Sequence, residues 1–337
     1  MGDGGFQQFL ADNEVPRDQA ERAVDLAAEF ARFLSDERGK PDATSADRED
    51  VDAFSRILIE SNRNTRDTYV ALIRYAAFVD NREAYVTAVA YLDGYEALGN
   101  LHEKLGDRLG DAARDSLFDG AEVPPLGLPG RDKARAMSAV VERLEHLDPE
   151  ACREVLASGL RDMPDEWYDG EREKYMECGS VDRYLERRRE EFVSGLHEHR
   201  DSGKWWWGQE VTDEMLDYVQ ANPEVGGGVR EGRIVYESKI PYMAHEHVTA
   251  GDEESRRYYF CHCPWARESL RDEALDVPPA FCNCSAAFHK RPWEAVFGRP
   301  LRAEVLESVL AGDDRCRFAI YLPEDAVLAA PDRGGPA

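Results

Sequence analysis

Between residues 6 and 118 apolar side chains recur at helical spacing, and no other feature restricts the fold of this chain so firmly. From Arg17 to Glu37 the apolar positions are Ala20, Val24, Leu26, Ala27, Phe30 and Phe33. That period places them on one face of a helix. Ser45 reads as an N-cap, with Arg48 and Glu49 behind it, and leads into Val51, Phe54, Ile57 and Leu58. Thr65 reads as the cap of a third helix carrying Tyr69, Leu72, Ile73 and Phe78, and a further helical run covers Tyr85 to Leu109. Residues 1–121 are therefore expected to form a compact all-helical module.

The stretch EVPPLGLPGRD, residues 122–132, is dense in Pro and Gly and reads as a linker. Helical patterns resume over 133–204, at 133–147, 149–162 and 181–199. The texture changes after Trp207. Thr212 caps a short helix, DEMLDYVQA. RIVYESKIPYMAHEHV and RRYYFCHC are rich in Ile, Val, Tyr and Phe and read as strands. Helices are expected from Trp265 onward and through AAFHKRPWEAVFG. A hairpin then runs from LRAEVLESVL through AGDDR into CRFAIYL. The expected class is α+β: an N-terminal all-helical bundle, then a mixed, cysteine-rich α+β domain over 205–325 with a late antiparallel sheet. Residues 326–337 read as a tail.

Charge restricts the partners. The 337 residues carry a formal net charge of -26, with 68 acidic against 42 basic residues. Nucleic acid and anionic membranes attract Lys/Arg-rich surfaces, so neither DNA nor a membrane is an expected partner. Lysine is scarce and arginine supplies most of the positive charge. An acidic, lysine-poor chain fits high-salt adaptation, a GC-rich genome with an acidic bias, or solubility alone. The first residues show no basic-then-apolar leader pattern and no long apolar run occurs, so a cytoplasmic protein is expected. Homo-oligomerisation stays open.

Seven cysteines are an odd number, and five of them cluster: Cys261 and Cys263 in CHCPW, Cys282 and Cys284 in FCNCS, and Cys316 after GDDR. In a chain without a secretion signal, clustered thiols point to metal ligation or reactivity before disulfides. Four thiolates suit zinc; an iron–sulfur cluster is the other metal reading. In a strand Cys261 and Cys263 would share a face, with Pro264 ending the strand. Cys152 and Cys178 read as ordinary residues of the helical stretch.

Other residues carry chemistry less directly. His245 and His247 in AHEHV would share one strand face, at a solvated or hydrogen-bonded edge. His262 and His289 flank the cysteine pairs and are candidates for orienting a thiolate or for acid–base work. Trp205, Trp206 and Trp207 cannot all face one core. Trp206 and Trp207, with Tyr242, Tyr258 and Trp265, are candidates for an aromatic ligand pocket, against a plain packing role. Phosphate loops, dinucleotide fingerprints and serine-nucleophile elbows do not occur.

The segment KRPWEAVFGRPLRAEVLESVLAGDDRCRFAIYLP, and above all GDDRCRF, resembles the end of the 4-vinyl reductase type of small-molecule-binding domain. That group includes ligand-sensing domains of aromatic-responsive regulators and L-2-amino-thiazoline-4-carboxylic acid hydrolases. The resemblance implies a cysteine-dominated zinc site beside an apolar ligand pocket. Cys316 matches the cysteine of the turn, and Cys282 stands where an upstream ligand is expected. Ser308 occupies the position of a further family cysteine, which leaves Cys261, Cys263 and Cys284 as replacements. The function implied is a zinc-binding small-molecule binder or sensor. The enzymatic alternative is a thiazoline-carboxylate type of hydrolase, using a thiolate such as Cys263 or Cys284, or a zinc-activated water, with His262 or His289 assisting.

EFARFLSDERG, ATSADREDVDAFSRIL and NTRDTYVALIRYAAFV more weakly resemble the helical, SAM-like core-binding domain of tyrosine recombinases. That implies a recombinase-derived, DNA-associated protein. The acidic charge of these helices opposes DNA contact, and the second half lacks an Arg…His-x-x-Arg…Tyr set; His197-Glu198-His199-Arg200 is only superficially similar.

Overall fold

A computed structural model describes residues 3–121, 123–272 and 274–328 of the chain. Helices dominate it, and one four-stranded antiparallel sheet forms late in the chain, so the class is α+β. Among the described residues no helix is long and apolar enough to cross a membrane. Two compact units form. Met1–Leu98 joins Glu122–Ala136, and Gly99–Ala121 joins Met137–Ala337.

The first unit is a helical bundle built mainly from Arg17–Glu37, Arg48–Glu60, Arg66–Phe78 and Arg82–Leu92. Of the expected apolar stripe, Ala20, Leu26, Ala27, Phe30 and Phe33 are buried and Val24 is half-buried, with Ala23 and Leu34 also facing inward. Phe30 meets Phe54 with ring centres 4.9 Å apart. Each such ring contributes about 1.5–3 kcal/mol through burial. Thr65 caps its helix as expected, accepting from the Thr68 amide. The cap before Val51 is Asp47 rather than Ser45. Asp47 and Asp50 form a reciprocal capping box, and Ser45 sits in a short 3-10 turn. Asp50 is fully buried, with Arg38 at 2.6 Å and Lys40 at 2.5 Å. The run from Tyr85 breaks at Gly94, whose φ is 67°, into Arg82–Leu92 and Ala97–Leu109.

The Pro/Gly-rich stretch packs on this bundle. The Asn64 side-chain amide donates to the Leu126 carbonyl at 2.9 Å. Ser55 Oγ donates to the Gly127 carbonyl at 2.7 Å and lies 2.8 Å from the Tyr69 hydroxyl.

The second unit holds the sheet: β1 (Val229–Glu231), β2 (Ile234–Ser238), β3 (Arg302–Glu307) and β4 (Arg317–Tyr321), in the order β1-β2-β4-β3. The final hairpin is present, with Arg302 opposite Tyr321 and Val305 opposite Phe318. Val235, Phe318 and Ile320 are buried beside Tyr184 of helix Val181–Ser202 and Trp293 of helix Asn283–Phe297. The second of these helices contains Pro292.

Two expected strands are helices. AHEHV lies in helix Ala244–Thr249, so His245 and His247 do not share a strand face. Pro241 cannot donate to a ladder, and strand pairing ends at Ser238. RRYYF lies in helix Glu253–Phe260. Asp252 caps that helix by accepting from the Ser255 amide at 2.7 Å, with Glu253 and Glu254 in the first turn. Cap and dipole outweigh the strand preference of the aromatic residues.

Candidate functional site

CHC is the link between two helices, not a strand. Cys261 ends Glu253–Phe260 and Cys263 precedes Pro264–Ser269, both with extended backbone. Pro264 occupies the first helical position, where its missing amide hydrogen costs nothing. In an extended link, residues two apart share a face, so Cys261 and Cys263 can serve one site. Cys282 closes the 3-10 turn Pro279–Cys282 and Cys284 follows in helix Asn283–Phe297. Residues two apart on a helix point about 200° apart. The second C-x-C therefore divides its thiols.

Cys261, Cys263, Cys282 and Cys316 line one small cavity of about 10 Å³, room for about a single water molecule. Cys284 does not line it; beyond burial, its thiol senses Cys263 first, then Arg161, Lys239 and the Leu160 backbone. Ser308, where the resembling family has a cysteine, lines the cavity and donates to Cys282 Sγ at 3.0 Å. Cys261 Sγ lies 3.7 Å from the Cys263 carbonyl oxygen. Lys239 also lines the cavity. Its Nζ donates to Ser285 Oγ at 3.0 Å and stands 5.9 Å from the Phe318 ring centre. Among the described residues no carboxylate pairs with it.

Burial acts on four of these thiols. It pushes Cys282 up to about 12 and Cys284 up to about 11, and raises Cys261 and Cys316 as well. Without a metal these thiols are neutral and poor nucleophiles.

Among the described residues no group of three or more His, Cys, Asp or Glu side chains is placed to hold a metal ion as it stands. By donor chemistry alone, thiols suit a soft divalent cation, and four of them from three chain segments line this space together with Lys239.

The two histidines have separate settings. His262 lines the cavity, donates Nε2–H to the Ile240 carbonyl at 2.6 Å and packs edge-on to Tyr242. Burial lowers it to about 3, so it is neutral. His289 stacks on Phe318 with ring centres 4.1 Å apart and donates from Nδ1 to Glu237 at 2.9 Å. Glu237 also accepts from Arg188 at 2.8 Å and from Trp293 Nε1 at 3.0 Å. Burial opposes ionisation of Glu237, but the Arg188 charge and these hydrogen bonds bring it down to about 2.

The aromatic candidates do not form one pocket. Trp206 packs on Phe192, and Trp207 is 71% exposed. Trp265 packs against Phe281, while Tyr242 and Tyr258 flank the buried Arg267. A larger hollow of about 340 Å³ lies in the first unit between helices Arg17–Glu37 and Arg66–Phe78, with a mixed lining that includes Arg22, Asp25, Arg63 and Arg74.

Lys239, Glu237 and Arg267 were not singled out from sequence. Each lies in an ordinary strand or helix pattern, and only long-range contacts give it a role. Lysine scarcity was the one local sign at Lys239. No family model, curated protein or solved structure matches the chain.

Proposed function

We propose that the second unit is a zinc-stabilised small-molecule-binding module, with Cys261, Cys263, Cys282 and Cys316 as ligands. The observation that carries this reading is the meeting of four thiols from three separate segments at one ion-sized cavity. Bound zinc supplies a cross-link between the link at 261–263, the turn at 282 and the start of β4. Four thiolates close a tetrahedral site and leave no position for a reactive water. The raised thiols argue against a free nucleophile at Cys261, Cys282, Cys284 or Cys316. The role is therefore structural, and the hydrolase alternative is disfavoured. The ligand-binding half of the reading rests on the resemblance of the C-terminal ending and on Tyr242, which packs on His262 of this centre.

Metal analysis with thiol titration tests the ion. About one zinc per chain is expected, lost in Cys282→Ser and Cys316→Ser and retained in Cys284→Ser. Chelation should expose the four ligand thiols and lower the melting temperature. A metal-free protein, or one whose zinc depends on Cys284, would sink the proposal.

A further inference from the structure

Several arginines of the second unit are met by carboxylates. Arg188 pairs with Glu237, Arg230 with Asp182, Arg315 with Glu307 and Arg317 with Glu224. Arg267 is not among them. It lies in helix Pro264–Ser269 and is only 5% exposed, with Nε and Nη1 buried and without an acceptor. Its guanidinium carbon stands 4.7 Å from the Tyr242 ring centre and 5.6 Å from that of Tyr258. Four residues on, the exposed Arg271 stacks on the same Tyr258 ring at 3.5 Å. Neither arginine has an ion pair among the described residues. Asp252 senses Arg271 and Glu268 senses Arg267, but neither is bonded to them.

Aromatic faces attract guanidinium ions, but they accept none of the five N–H groups in the plane of the fork. A buried guanidinium without acceptors is costly. Two such cations on one ring, one buried and one at the surface, make half of a binding site. We propose that Arg267 and Arg271, at Tyr258, form a binding site for a phosphate-type dianion, either free phosphate or the phosphate of a small monoester. A dianion matches both positive charges, whereas a monoanion leaves one uncompensated. Arginine forks suit phosphate oxygens. The exposed Arg271 marks the side of entry. The net charge of -26 repels anions at long range, so capture depends on these local contacts.

Arg267 senses Cys261, and Tyr242 touches His262 of the thiol cavity, so zinc content is measured in each variant as a control. Calorimetric titration of the full chain with inorganic phosphate, phenyl phosphate and acetate provides the test. Binding of at least one phosphate is expected, with acetate at least tenfold weaker. Response to inorganic phosphate identifies the free ion; response to phenyl phosphate alone identifies a monoester. Arg267→Met and Arg271→Met should each weaken binding at least tenfold, and Arg267→Lys should fall between, since it keeps charge and loses the fork. Arg271 is exposed, so Arg271→Met tests the site even if Arg267→Met fails to fold. Absence of phosphate binding by the wild type, equal binding of acetate, or unchanged affinity in Arg271→Met would each overturn the proposal.

Discussion

Gly127 has φ of 92°, and a Cβ there would overlap the Tyr69 hydroxyl. Only glycine adopts this backbone without strain, and only glycine admits the ring. Gly127→Ala is expected to destabilise the protein by about 1–3 kcal/mol, read from denaturant unfolding; an unchanged midpoint would show that the segment yields freely. The division of FCNCS is also a residue-scale effect. The same C-x-C spacing joins two thiols in an extended link and separates them at the start of a helix. The sequence therefore shows five candidate ligands and does not show that Cys284 does not line the cavity.

Glu237 joins β2 to Arg188 of helix Val181–Ser202 and to His289 and Trp293 of helix Asn283–Phe297. Three elements depend on one buried charge. Its folded value, about 2, lies below the ordinary 4.5. The ionised form therefore stabilises the fold above that ordinary value, and the contribution disappears as pH falls from there toward 2. Glu237→Gln leaves Arg188 buried without its counter-charge and should cost about 3–5 kcal/mol. Urea unfolding across this pH range should show a steep acid limb in the wild type and a flatter one in the variant. Equal slopes would show that Glu237 does not govern acid stability. The network was not legible in sequence, because IVYES reads as an ordinary strand and HKRPW as an ordinary helix. Among the elements, the strongly periodic first helices and the final hairpin were legible. AHEHV and RRYYF were misread because composition resembled a strand while Pro241 and the Asp252 cap set the backbone.

For the whole molecule, a net charge of -26 makes self-repulsion a standing cost. Raising ionic strength from about 0.1 M to 1 M shortens the screening length from about 10 Å to 3 Å. Repulsion between carboxylates on the surface should weaken more than the close or buried pairs such as Asp50 with Lys40 and Arg38. The melting temperature is expected to rise across that range of potassium chloride, followed by circular dichroism; a steady fall would show that the ion pairs outweigh the repulsion. The charge itself is a property of sequence. Which cations lie without a carboxylate partner among the described residues, such as Lys239 at the thiols and Arg267 between two tyrosines, is not.

Sequence by itself determined the helical character of the first module, the late antiparallel hairpin and the gathering of cysteines near the C-terminal end, because periodicity, caps and spacing act over a few residues. Tertiary structure decided which four thiols share a cavity, where the Pro/Gly-rich stretch packs, and which buried charges meet a partner. Those outcomes depend on contacts between residues tens of positions apart, such as Cys282 with Ser308 or Arg188 with Glu237. No local pattern records such contacts.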